Sequence, residues 1–109
     1  MKAKFDFGSL DQPFEADWPV TVNVPQDGGT VKEEGFMARF RLLDQAALDA
    51  VTADADKDAF LAAFWIGFGA GQAEVFTPEL FSGSMQRQYV RAALVNAYYG
   101  FAAGAPAKN

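Results

Sequence analysis

Between residues 17 and 43, apolar and polar positions alternate with period two on both sides of a glycine turn. "DWPVTVNVP" sets Trp18, Val20, Val22 and Val24 on one face and Pro19, Thr21 and Asn23 on the other. That pattern, in largely β-branched residues, predicts a half-buried strand. Pro19 cannot donate to a ladder, so the strand starts there or lies at an edge. "PQDGGT" supplies Asp27-Gly28 and Gly28-Gly29, which tolerate the positive φ of tight hairpin turns. The return, "TVKEEGFMARFRLL", puts Phe36, Ala38, Phe40 and Leu42 on one side, with Met37, Arg39 and Arg41 opposite. Gly35 is a candidate bulge. A long antiparallel hairpin is expected over 17–43. Upstream, "KAKFDFGSL" alternates Lys4, Phe5, Asp6 and Phe7 in the manner of a strand ended by Gly8 and Ser9, and "DQPFEAD" reads as a loop. Residues 1–16 are therefore a strand-like arm and loop.

From residue 44 the period changes. Asp44 is placed to cap a helix over "QAALDAVTA", with Leu43 and Leu48 as a hydrophobic staple. A second helix is expected from about Asp56 through an apolar stretch to Gly67, Gly69 and Gly71. Thr77 and Pro78 open a short third helix. Ser84 is the expected cap of the last one, whose Val90, Leu94, Ala97, Tyr98 and Phe101 recur at core spacing. Gly104 and Pro106 close it. The helical part spans 44–104 and a tail spans 105–109. A hairpin or small sheet followed by three to four helices, in one domain, is an α+β fold.

The stretch "AFLAAFWIGFGAG", residues 59–71, stands out because its only hydrogen-bonding side chain is the indole of Trp65. Wound as a helix, it carries Phe60, Phe64 and Gly67 along one side and Leu61, Trp65 and Phe68 along another. Such a helix is either buried all round or shared between the core and a partner. A small domain seldom encloses a helix completely, and Trp is a favoured interface anchor, so sharing is expected. Tyr98 falls on the last helix's core stripe, which turns Tyr99 about 100° away from it.

Composition narrows the chemistry. The chain has no Cys and no His, which removes disulfides, thiolate zinc sites, cysteine nucleophiles and the usual general base. Asp54, Asp56 and Asp58 have the first spacings of a calcium loop, but Ala59 stands where Gly is needed and Trp65 where Glu is needed. They read as an acidic, solvated helix start. "GFGAG" follows an apolar segment instead of leading into a helix, and no Lys or hydroxyl residue comes next, so it reads as a helix exit and not a phosphate loop. Glu33 and Glu34 are adjacent on a strand and point to opposite faces. No metal, cofactor or catalytic constellation emerges. The first residues lack a signal-peptide core, and no apolar run approaches the roughly 20 residues of a membrane helix.

Net charge is −5, divided unevenly. All 14 acids lie before residue 80, while Arg87, Arg91 and Lys108 follow it with no acid among them. An acidic chain is a poor nucleic-acid binder. The two ends can instead attract each other, within one molecule or between copies.

The order of these pieces resembles a known family. A strand "WPVTVNVP", a "QDGG" turn, a strand ending "FMARFRLL", a helix, an apolar segment centred on Trp, "FTPEL", a last helix with "ALVNAYY" and a final "AKN" are similar to the tail assembly chaperones of long-tailed bacteriophages. The resemblance covers most of the chain from about residue 17. It implies a non-enzymatic chaperone that coats the helical tape-measure protein before the tail tube polymerises, acting in the host bacterial cytoplasm and absent from the finished virion. It also implies a backward ribosomal frameshift near the gene's end, appending a domain that recruits tail-tube protein. Ala107-Lys108-Asn109 can be encoded as GCA AAA AAC, which contains the slippery heptamer A AAA AAC. The chain departs from the family in its middle segment, where "FWIGFGAG" lacks a charged residue.

A chaperone for a long helix needs apolar surface and self-association into a homo-oligomer. Phe64, Trp65, Phe68 and Tyr99 are the expected apolar contacts, with Arg87 and Arg91 setting register. On that expectation Trp65→Ala with Phe68→Ala stays folded but loses the client. A small virion part, such as a tail-completion or head-tail joining protein, is the alternative class.

Overall fold

The structure, a computed structural model, describes residues 2–107. Two eleven-residue strands, β1 (Glu15–Pro25) and β2 (Val31–Arg41), form the hairpin, and a short third strand, β3 (Trp65–Phe68), lies on the far side of β2. The helices are α1 (Gln45–Thr52), α2 (Ala59–Phe64), α3 (Pro78–Met85) and α4 (Gln88–Ala102). The fold is α+β: a three-stranded antiparallel sheet in the order β1-β2-β3, with four helices.

The hairpin follows its pattern. Val20, Val22, Ala38 and Phe40 are buried, and Trp18, Val24 and Phe36 pack against them. Gly28 and Gly29 take φ of 84° and 86° in the turn. The outer face is solvated and laced by Arg39–Asp17 and Arg41–Glu15 ion pairs at 2.9 and 3.2 Å. Gly35 is not a bulge: it stands opposite Thr21 in an unbroken register. The irregularity lies in β3, where Gly67 faces Arg39 but Trp65 faces Phe40, leaving Ile66 as the extra residue. The strand also ends before Leu42, whose N–H donates to the Phe14 carbonyl and whose side chain is exposed.

Two further expectations are corrected. Lys4–Phe7 form no strand; Phe7–Asp11 wind into a 3-10 turn instead, because Asp6 accepts the Gly8 N–H and no neighbouring strand competes. Ser84 lies inside α3 with its hydroxyl on the Leu80 carbonyl, and α4 starts after Arg87. Asp44 and Thr77 do cap α1 and α3, accepting from Ala47 and Leu80. In α4, Ala93, Leu94, Tyr98 and Phe101 are buried and the phenol of Tyr98 accepts the Leu43 N–H at 3.0 Å. Burial lifts that phenol above its ordinary value of 10.0, with the Leu43 bond opposing.

The largest correction concerns residues 56–71. The expected helix lasts only from Ala59 to Phe64, and the chain then becomes extended as β3, so the part expected to be all helix contains a strand. The glycines after it are a packed turn. A Cβ on Gly69 would lie 2.4 Å from Met37 Cγ and 2.9 Å from Asp17 Cγ, and Gly71 has φ of 88°. The Gly69 N–H donates to the Met37 carbonyl, and the Ala70 N–H to the Asp17 carboxylate at 3.0 Å. Gly69→Ala should lower stability by about 1–3 kcal/mol in urea unfolding, as overpacking does. Gly67→Ala, whose Cβ would meet Arg39 Cβ at an ordinary 3.9 Å, should leave the midpoint nearly unchanged.

Asp17 ties this turn to β1. The Ala70 N–H, and then the Arg39 guanidinium, hold its carboxyl below the ordinary 3.8. A carboxyl depressed in the folded state stabilises fully above its unfolded value, and that contribution disappears as pH falls through the folded value. Unfolding measured from pH 6 down to 2 should show Asp17→Asn losing less stability below about pH 4 than the parent does.

Candidate partner-binding surfaces

Phe64 and Trp65 are consecutive, yet both are buried. The change from helix to strand between them aims the two rings into separate aromatic clusters. Phe64 stacks on Tyr98 at 4.3 Å between ring centres and meets Phe40 edge-on at 5.2 Å. Trp65 lies among Phe36, Phe68, Phe76 and Phe81, nearest to Phe76 at 4.8 Å, and its indole N–H donates to the Gly67 carbonyl at 2.9 Å. Neither side chain is available to a partner. That corrects the expectation for both: the apolar stretch is shared between two halves of one core.

The other expected contacts separate. Phe68 is half-buried and borders a groove described below. Tyr99 is 48% exposed beside Phe60. Arg91 is engaged within the chain: its guanidinium pairs with Asp58, donates to the Lys57 carbonyl at 2.8 Å and touches Met85 Sδ at 3.3 Å. The attraction between the chain's acidic and basic parts is thus met internally at this residue, which fastens the start of α4 to the loop before α2. Arg87 is exposed. The six expected residues do not form one surface. In the loop itself, Asp54 and Asp56 accept the N–H groups of Asp56 and Asp58, and no group of three or more His, Cys, Asp or Glu among the described residues is arranged to hold a metal.

Apolar surface remains elsewhere, in two places. The first is a groove of about 460 Å³. The helices cover the hairpin near its base but not near its turn, so Val22, Val24 and Phe36 form a floor facing Leu80 of α3 and Tyr89 and Val90 of α4. Trp65 and Phe68 close one end, and Glu74 and Glu34, the latter paired with Lys32 at 3.5 Å, stand at the rim. A second hollow of about 410 Å³ lies between β1 and α4, lined by Trp18, Ala93, Ala97 and Gly100 and by residues 105–107.

The second place is the arm before β1. Phe5, Phe7, Leu10 and Phe14 are 59%, 76%, 66% and 53% exposed, although Phe14 stacks on Phe101 and Phe5 meets Phe7 edge-on. The sequence reading missed this concentration. Its signal was the alternation at residues 4–7, a strand pattern with nothing in the monomer to pair with. A radius of gyration of 15.3 Å, against roughly 13 Å for a compact chain of about 100 residues, reflects the projecting parts.

Among the described residues no helix is long and apolar enough to cross a membrane. The final Lys108 and Asn109, on which the frameshift expectation partly rests, lie outside the described residues.

Because Trp65 is enclosed, Trp65→Ala should cost about 3–5 kcal/mol in denaturant unfolding, while Tyr99→Ala should cost about 1 kcal/mol or less. Both values come from the same equilibrium curves, and similar losses for the two would contradict the burial difference. No protein-family model matches the chain, and no curated protein and no solved structure matches it either.

Proposed function

We propose that this protein is a tail assembly chaperone of a long-tailed bacteriophage or prophage, which binds the tape-measure protein and keeps it soluble in the host cytoplasm until the tail tube forms. The observation that carries the reading is the groove between the hairpin's distal half and α3–α4. An open apolar trough fits the apolar stripe of an amphipathic helix, and Glu74 at its rim suits a Lys or Arg beside that stripe. The order of strand, turn, strand, Trp-centred segment, "FTPEL" and "ALVNAYY" supports the same reading from the sequence side.

In this reading Val24, Phe36, Phe68 and Tyr89 contact the client. Trp65 closes one end of the groove, and Phe64 belongs to the other aromatic cluster and makes no contact with the client. Arg87 and Tyr99 lie outside the trough and serve contacts between copies. A tape-measure helix is far longer than one groove, so several copies coat it, and the affinity of each site matters less than their number. A frameshifted extension would bring tail-tube protein to the coated client.

Co-expression with the tape-measure protein of the same phage tests this. The client should be soluble with the parent chain. Val24→Glu with Tyr89→Glu, one change on each wall, should cut the soluble client by roughly tenfold or more, about 1.4 kcal/mol per decade of affinity. Circular dichroism of the purified variant checks that it is folded. A client equally insoluble with and without the parent chain would overturn the reading. Recovery of the chain from purified virions by mass spectrometry would favour the virion-part alternative.

A further inference from the structure

The distal half of β2 is an open edge. In an antiparallel strand, alternate residues send both N–H and C=O to the same side. Met37 points away from β1: its carbonyl accepts the Gly69 N–H and its N–H donates to the Gln72 side chain at 3.0 Å. By that alternation Gly35, Glu33 and Val31 point the same way, while β3 pairs only with Ala38, Arg39 and Phe40. The main-chain groups of those three residues therefore have no strand beside them among the described residues. Such an edge is a template for another strand. It also runs along the apolar groove, which Glu34, Gly35 and Phe36 border.

The same chain carries a segment that lacks a partner. Residues 3–7, "AKFDF", alternate as a strand would, yet stay unpaired, with Phe5 and Phe7 largely exposed. Five residues are as long as the free edge, and laid antiparallel opposite 30–34 they set Lys4 across from Glu33 and put Phe5 and Phe7 on the face of Lys32 and Glu34. Period two puts Phe5 and Phe7 on one face and Lys4 and Asp6 on the other. Laid along the edge with the phenylalanines toward the helices, the arm would extend the floor formed by Val22, Val24 and Phe36. Lys4 would then lie on the outer face, the side of Glu33.

We propose that the arm of one copy adds as a fourth strand to the free edge of β2 in a second copy, seating Phe5 and Phe7 at the groove. The occupant is a second copy because its features answer the edge one for one: strand periodicity, length, apolar face and charge. Main-chain hydrogen bonds supply the affinity and the alternate side chains the specificity, as in other cases of strand addition. This goes beyond the client reading and stands without it, since it needs only this chain.

Sedimentation velocity over a concentration series, on the full chain without any client, tests it. The parent should self-associate. Phe5→Ser with Phe7→Ser should weaken association by roughly tenfold or more. Glu33→Pro should do the same from the other side, because its N–H faces the open edge and the β1–β2 ladder loses no bond. Lys4→Glu should weaken association, and adding Glu33→Lys in the same chain should restore much of it, a rescue that misfolding would not produce. Amide exchange at Gly35 and Val31 should slow as concentration rises in the parent and not in the phenylalanine variant. A parent that is monomeric throughout, or that associates equally with all of these changes, would overturn the proposal. So would protection of Gly35 that does not depend on concentration, since the arm would then be folding onto its own chain. None of these outcomes involves tape-measure protein, so failure here and failure of the client reading are separable.

Discussion

The change of backbone between Phe64 and Trp65 is the constraint on which the rest of the structure depends. One sheet face must be covered by rings coming from a single apolar segment. A continuous helix would separate consecutive side chains by about 100° and leave one of them outside. By leaving the helix at Phe64 and joining β2 as an edge strand, the segment sends Phe64 to the proximal cluster with Phe40 and Tyr98. It sends Trp65 to the distal cluster with Phe36, Phe76 and Phe81. The residue count does not fit a straight ladder, and the extra Ile66 absorbs the mismatch. Gly69 then has to be glycine, because the chain leaves β3 against Met37 and Asp17 with no room for a side chain.

That same arrangement explains why a groove exists. Eleven-residue strands are long for a sheet in a domain of this size. α4 packs along β1, and β3 guards β2 only as far as Ala38. Past that point the inner face still carries valines and Phe36, while the polar residues of the turn half, Lys32 to Glu34, limit how far the apolar floor runs. The trough and the open edge are thus one consequence: the hairpin outruns its cover in both directions, above its face and beside its edge.

Much of this was legible in the sequence where the signal is local. Trp18 to Val24 and Phe36 to Phe40 alternate cleanly; Asp27-Gly28-Gly29 states its turn; Asp44 and Thr77-Pro78 announce helix starts through hydrogen bonds made within four residues. What failed was non-local. A four-residue strand inside an apolar run cannot be told from helix by periodicity, because the deciding partner, Ala38 to Phe40, lies more than twenty residues away. Misreading it as helix put Trp65 at the surface and moved the candidate site with it. The partner of Arg91 cannot be read locally because Asp58 is distant in sequence, and Ser84 looked like a cap because its bond to Leu80 reverses the usual direction. The arm's alternation was seen correctly, but a strand is a property of two segments, and the second one is not beside it in the monomer.

The surplus of apolar side chains expected from composition is present, but it sits at the two ends of the hairpin and not on the central helix. Their placement bears on assembly. Arm and edge are unlike patches, so a contact between them is heterologous. Two copies that exchange arms close into a dimer and stop, whereas copies that pass arms in one direction leave a free arm and a free edge at the ends of every complex. A ring or a filament follows, depending on the rotation between neighbours. The groove lies along the joined edge in either case, so neighbouring grooves in an open arrangement are spaced by the same step that relates the copies. Were the client a long helix, as proposed, that spacing, and not the depth of any one groove, would decide which stretches of it can be held at once.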